Sequence, residues 1–133
     1  MESMPNLKVL LKYWLPPVLW ALVIFSFSSM QVAGTSDVYW KDFIVKKTAH
    51  LVEYGILACL LYRAMINSNI SRQKAFVLSI LIAGIYGASD EYHQSFTPGR
   101  EPRTRDVVID TVGAIIGSSV GKRFIGNRVE ITN

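Results

Sequence analysis

The first long segment without a charged side chain constrains the fold of this chain most strongly. Residues 13–36 contain no Asp, Glu, Lys or Arg, and most side chains of residues 14–30 are apolar. A run of this length can cross the hydrocarbon core of a bilayer as one helix. It is also longer than the apolar part of a secretory signal, so we predict an uncleaved transmembrane helix over residues 14–30.

Three further segments of the chain are rich in apolar residues. Only 18% of all residues are charged, against about 25% in soluble domains. A soluble surface helix needs a polar face, yet residues 75–89 contain no charged residue and no such face. We therefore predict one all-α domain over residues 1–133, an integral membrane bundle of four transmembrane helices. Their predicted bounds are about residues 14–30, 48–66, 75–93 and 106–121.

Basic residues lie at the ends of the apolar segments, where membrane proteins carry them. The net charge of +4 does not indicate a nucleic-acid partner, because no basic helix or basic-aromatic alternation accompanies it. With four spans, both termini share one side with Lys8, Lys12, Arg63, Arg72, Lys74, Lys122, Arg123 and Arg128. The other side holds the smaller set Lys41, Lys46, Lys47, Arg100, Arg103 and Arg105. The positive-inside rule then predicts cytoplasmic termini and an outward location for residues 46–53 and 90–110.

The fourth predicted helix carries two aspartates on a stripe of small residues. Residues three or four apart share a helix face, so Asp106 and Asp110 continue a stripe of glycines at positions 113, 117 and 121. Glycines at this spacing let helices approach closely in lipid, so the stripe is predicted to be an interhelical face that directs both aspartates into the bundle. A buried carboxylate in a membrane needs a partner, and His50 or Arg100 is expected to pair with Asp110.

Ionisable side chains from three segments are therefore expected to meet at one membrane surface, as they do at many functional sites. The candidates for acid–base chemistry are His50, Glu53, Asp90, Glu91, His93 and Asp106. The candidates for ligand binding are Lys47, Gln94, Arg100, Arg103, Arg105 and Asp110.

Structural explanations of the same residues stay open. A histidine at a membrane surface can be a hydrogen-bonded structural residue, and arginines beside carboxylates can form a plain ion-pair network. The histidines and carboxylates could bind a divalent metal, but no segment has an established metal-site spacing. No nucleophile motif, phosphate-binding loop or cofactor fingerprint is present, so whether the chain is an enzyme is left open.

Three stretches of the chain resemble the VanZ-like family of small bacterial membrane proteins, named for a teicoplanin-resistance protein. The first is the serine-rich segment 25–29, and the second is Lys47-Thr48-Ala49-His50 with Glu53-Tyr54. The third and most distinctive is segment 90–100, followed by Asp106 and Gly113. Asp110 stands where the family often has Asn. The resemblance implies a multi-pass helical protein of the bacterial cell membrane, whose founding member lowers sensitivity to a glycopeptide antibiotic.

Three hypotheses about function follow. In the first, an outward site binds or modifies an anionic lipid headgroup or a lipid-linked cell-wall precursor, with an effect on teicoplanin susceptibility. In the second, the chain is a non-enzymatic membrane interaction module. In the third, it is a subunit of a small transporter or flippase, which would need oligomerisation because one short four-helix unit leaves little room for alternating access. A homo-oligomer therefore also stays open.

Overall fold

Four helices make up the regular structure in the described part of the chain. The computed structural model describes residues 6–29, 39–97 and 104–127, and these residues contain no strand. This confirms the all-α prediction. The helices are α1 (Leu7–Ser29), α2 (Tyr39–Ile66), α3 (Arg72–Gln94) and α4 (Thr104–Phe124).

Two helices begin well before the apolar segments that predicted them. α1 begins at Leu7 rather than near residue 14, and α2 begins at Tyr39 rather than near residue 48. Within α1, a π-helical turn, Leu10–Trp14, precedes the two prolines. Pro16 has no N–H to donate, and the wider turn lets the helix continue past the missing hydrogen bonds. Hydropathy marks the part of a helix that suits lipid, and the helix itself extends beyond that part.

Two helical segments are long and apolar enough to cross a membrane. They are Leu7–Ser29 and Ile44–Ile66 among the residues described. α3 and α4 contain more polar residues, and they bury several of them. The large apolar side chains that α3 exposes are Val77, Leu78, Leu81, Ile82, Ile85 and Tyr92. The residues that it buries are the small or polar Ala75, Ser79, Ala83, Gly87, Asp90, Glu91 and Gln94.

This distribution is the reverse of that in a water-soluble bundle, in which large apolar side chains fill the interior. α4 shows the same reversal. Its exposed side chains include Val108, Val112, Ile115, Ile116 and Val120. Its buried positions are Asp106, Asp110, Gly113, Ala114, Gly117, Ser118 and Gly121. Such an outer surface is suited to lipid, and the polar interior is where membrane proteins keep their costly side chains.

Glycine contacts bring α2 and α4 together. A Cβ atom at Gly113 would overlap the backbone carbonyl of Leu51, and one at Gly117 would overlap the backbone of Gly55. One turn further on, a Cβ at Gly121 would lie 3.0 Å from the ring of Tyr62. The two backbones therefore touch over several turns, which confirms the predicted interhelical face of the glycine stripe.

Aromatic side chains attach α1 to the other helices. The indole N–H of Trp14 donates to Ser68 Oγ at 2.8 Å, and that of Trp20 donates to the Glu53 backbone oxygen at 2.8 Å. The Tyr86 hydroxyl donates to the Ala21 backbone oxygen at 2.5 Å. Each bond gives a partly buried polar atom its partner, and together they hold α1 at two levels, at Trp14 and at Trp20-Ala21.

The glycine contact generates a stability prediction. We expect Gly117→Ala to lower the free energy of unfolding by about 1–3 kcal/mol or more, because the added methyl group must push α4 away from the Gly55 backbone. The matched control is Gly84→Ala, where the new Cβ would lie 3.5 Å from Thr111 Oγ1 in an ordinary contact. Thermal unfolding of the detergent-solubilised protein measures both, and equal unfolding temperatures for the two variants would contradict the close packing of α2 on α4.

Candidate functional site

Two charge pairs connect α2 to α4 at the same end of the bundle. Lys47 Nζ contacts Asp106 Oδ1, and His50 Nδ1 lies 3.1 Å from Asp110 Oδ1. The Asp110 side chain is completely buried, whereas those of Lys47 and His50 are each 19% exposed. The predicted inward direction of Asp110 and its pairing with His50 are therefore confirmed. The two pairs lie one helical turn apart, because both partners repeat at helical spacing.

The local sequence explains why these side chains meet. Gly113 follows Asp110 by about one turn, and its missing side chain places the α4 backbone against Leu51. His50 is the residue before Leu51, so a close approach of the two backbones lies directly beside the pair. Side chains as short as Asp can then bridge the gap between the helices.

α3 contributes a third wall next to Asp110. A Cβ atom at Gly87 would lie 3.1 Å from Asp110 Oδ2 and 3.3 Å from the ring of Tyr54. Glu91, one turn further along α3, is buried. Donor atoms of His50, Glu91 and Asp110 all lie within 4.8 Å of one another. Three helices thus place one imidazole and two carboxylates in a single cluster, which we call the His–Glu–Asp cluster.

A second polar group joins α3 to α1. The Gln94 side-chain N–H groups donate to Ser28 Oγ at 2.7 Å and to Asp90 Oδ2 at 3.1 Å. All three side chains are buried. The sequence predicts Gln94 as a ligand-binding residue. In the structure its side-chain amide donates hydrogen bonds to two other side chains of the protein and orients Asp90.

Tyr54 lies between the two polar groups. Its ring is stacked on that of His50, with 6.4 Å between the centroids, and lies 6.2 Å from that of Tyr86. The sequence predicts no site role for Tyr54 or Ser28, which belong only to the stretches that carry the family resemblance. Two signals were available: Tyr54 follows His50 by one turn, and Ser28 is a polar residue in an apolar run.

Other predicted site residues lie outside the His–Glu–Asp cluster. His93 is half-buried and its ring packs on Phe25, with 4.7 Å between the ring centroids. Glu53 is half-buried, and its backbone oxygen accepts the Trp20 N–H. Arg105 is exposed near the start of α4. The remaining two predicted ligands, Arg100 and Arg103, lie outside the described residues.

The arrangement has a definite chemical capacity. An imidazole beside a carboxylate can take up or release a proton near neutral pH. An imidazole with two carboxylates is also a donor set that divalent transition metals accept. Within the described part of the site, the buried acids are Asp90, Glu91, Asp106 and Asp110, and the bases beside them are Lys47 and His50.

A family model decides the relationship of this chain to known proteins. The model of VanZ/LLP1 matches residues 6–125, which include all four helices and every residue of the site. The chain belongs to the VanZ/LLP1 family. No curated protein and no solved structure matches the chain significantly. Membership of this family and the two apolar helices together indicate a membrane protein, and they fit a location in the cell envelope.

Proposed function

We propose that this VanZ/LLP1 protein is a multi-pass protein of the bacterial cell membrane whose outward polar site binds or modifies a phosphate-bearing lipid headgroup. The headgroup would belong to an anionic lipid or a lipid-linked cell-wall precursor, which would connect the site to teicoplanin susceptibility. The observation that carries the proposal is a group of ionisable side chains at one end of a bundle with an apolar exterior: two charge pairs between α2 and α4, and the buried Asp90 and Glu91 of α3 beside them.

The outer surface of the bundle supports four membrane crossings. α3 and α4 both expose large apolar side chains along their length and bury polar ones. α3 rises about 33 Å between Gln73 and Ser95, which is close to the roughly 30 Å thickness of the hydrocarbon core. A lipid environment accounts for this exterior, whereas water would have to solvate it.

The basic residues around the site suit a phosphate group. Lys47 is part of the Lys47–Asp106 pair and remains partly exposed. Arg100, Arg103 and Arg105 follow the end of α3 in the sequence. Guanidinium groups bind phosphate oxygens in pairs, so these arginines would hold the headgroup at the rim.

The buried groups would act on the bound headgroup from below. His50, paired with Asp110, and the nearby Glu91 would supply either acid–base chemistry or the ligands of a metal ion. In a version without chemistry, the same residues would only shape the binding surface. The catalytic version and the binding-only version predict different effects of a conservative substitution on the amount of bound lipid and on teicoplanin susceptibility.

We expect Glu91→Gln, His50→Gln and Asp106→Asn to return the teicoplanin susceptibility of an expressing strain to that of cells without the protein, at unchanged protein levels. Ser119→Ala, on the exposed face of α4, is the control and should leave the effect intact.

Mass spectrometry of lipid that co-purifies with each variant distinguishes the catalytic version from the binding-only version. If the site is catalytic, the variants should retain the lipid but lose their effect on teicoplanin susceptibility. If the site only binds, the variants should lose both the lipid and the effect. Full effect in all three variants would contradict a role of this site.

The outward direction of the site can be tested on α3 alone. In a Cys59→Ala background, Ser95→Cys should react with a membrane-impermeant thiol reagent in intact cells, and Gln73→Cys should react only after lysis. Both positions are exposed, and Asn69 in the adjoining turn is avoided because its φ of 63° would strain a cysteine. The opposite labelling pattern would place the site in the cytoplasm and refute an outer-leaflet ligand.

A further inference from the structure

We propose that His50, Glu91 and Asp110 bind one divalent transition-metal ion, with Zn²⁺ as the ion of first choice. The metal site extends the proposed function, because the ion would be the contact between an acidic cluster and an anionic phosphate. Only this role toward the headgroup rests on the proposed function. Binding of the metal itself depends only on the geometry of the three helices.

The donor atoms form a set that a metal ion can use. One imidazole nitrogen and two carboxylate oxygens, from α2, α3 and α4, lie within 4.8 Å of one another. Ligands that bind Zn²⁺ at about 2.0–2.2 Å lie roughly 3–3.6 Å apart, so small side-chain rotations would complete the site. Imidazole favours Zn²⁺ and related ions over Mg²⁺, which prefers oxygen ligands alone.

Unsatisfied carboxylate oxygens provide a second, independent observation. Within the part of the chain that the structure describes, Asp110 Oδ2 and Asp90 Oδ1 are buried and have no hydrogen-bond partner. Asp110 is completely buried, so solvent does not compensate its second oxygen. An unpaired polar atom in the interior is costly, and a bound ion would remove that cost.

The unsatisfied Oδ2 oxygen of Asp110 lies beside α3. A Cβ atom at Gly87 would lie 3.1 Å from it, and Glu91 is one turn further along that helix. A side chain at position 87 would therefore require the carboxylate to shift by a few tenths of an ångström. Gly87 is therefore a positioning residue for the metal, although it supplies no ligand.

A cation also explains how this cluster could face an anionic group. Among the described residues, four acidic side chains are buried at this end of the bundle, and the half-buried Lys47 and His50 pair with two of them. A phosphate that approached the carboxylates directly would be repelled. A divalent ion among them would offset this negative charge and could bind the phosphate as a further ligand.

The test is a calorimetric titration of the full-length, detergent-solubilised protein, stripped with a chelator, with Zn²⁺, Mn²⁺ and Mg²⁺ in the absence of lipid. We expect one Zn²⁺ per chain and much weaker binding of Mg²⁺. Gly87→Ala should weaken Zn²⁺ binding by roughly tenfold or more, as losses of metal-positioning contacts do. Gly84→Ala is the same substitution three residues earlier on α3. It should leave Zn²⁺ binding unchanged, because the added Cβ atom has room there.

Glu91→Gln and His50→Gln remove a ligand and provide the check if Gly87→Ala proves unstable, with helicity by circular dichroism confirming the fold of each variant. Absence of stoichiometric Zn²⁺ binding, or Zn²⁺ binding that survives both ligand substitutions, would overturn the metal site. Neither result would affect lipid retention, which is measured separately. Conversely, Zn²⁺ binding without any co-purifying phospholipid would leave the metal site standing and refute the proposed headgroup.

Discussion

A buried charge must be paired, and the pairing of Asp110 with His50 is the interaction on which the rest of this structure depends. Asp110 is completely buried between α2, α3 and α4, where an isolated carboxylate would be expensive. Its partner on α2 is available only because the backbones of the two helices touch at the next turn. The site and the helix packing therefore depend on each other. A substitution that changes the packing of α2 on α4 should also change the geometry of the site, and the reverse.

The glycine stripe gives that arrangement its precision. Gly113 and Gly117 allow backbone contact with α2, which fixes the distance over which Lys47 and His50 reach their aspartates. Many of the large apolar side chains of α3 and α4 are then left for the exterior, which suits a surface that meets lipid. A bundle built in this way has a polar interior at one end, and that interior has the composition of a binding site rather than of a hydrophobic core.

The sequence was sufficient to predict the four-helix fold and the inward direction of Asp110, because helical periodicity and the cost of buried charge determine them. For the partner of Asp110 it offered two candidates, His50 and Arg100. It was not sufficient to predict which residues of different helices meet. Spacing shows that Asp90 and His93 lie near each other on one helix, but it does not show the rotation of that helix against its neighbours. The contact of Gln94 with Ser28, and the separation of His93 from the His–Glu–Asp cluster, depend on that rotation.

A double-mutant cycle on His50 and Asp110 tests the central claim most directly. Reversible unfolding in detergent would be measured for His50→Leu, Asp110→Leu and the double variant. Each single change should cost about 3–5 kcal/mol, because it leaves a buried charge unpaired, and the double variant should recover about 1–3 kcal/mol relative to the sum. His50→Leu with Ser118→Ala, a residue whose hydroxyl pairs with Ser79 away from the site, should be additive. Additivity within about 0.5 kcal/mol for His50 and Asp110 as well would contradict the account.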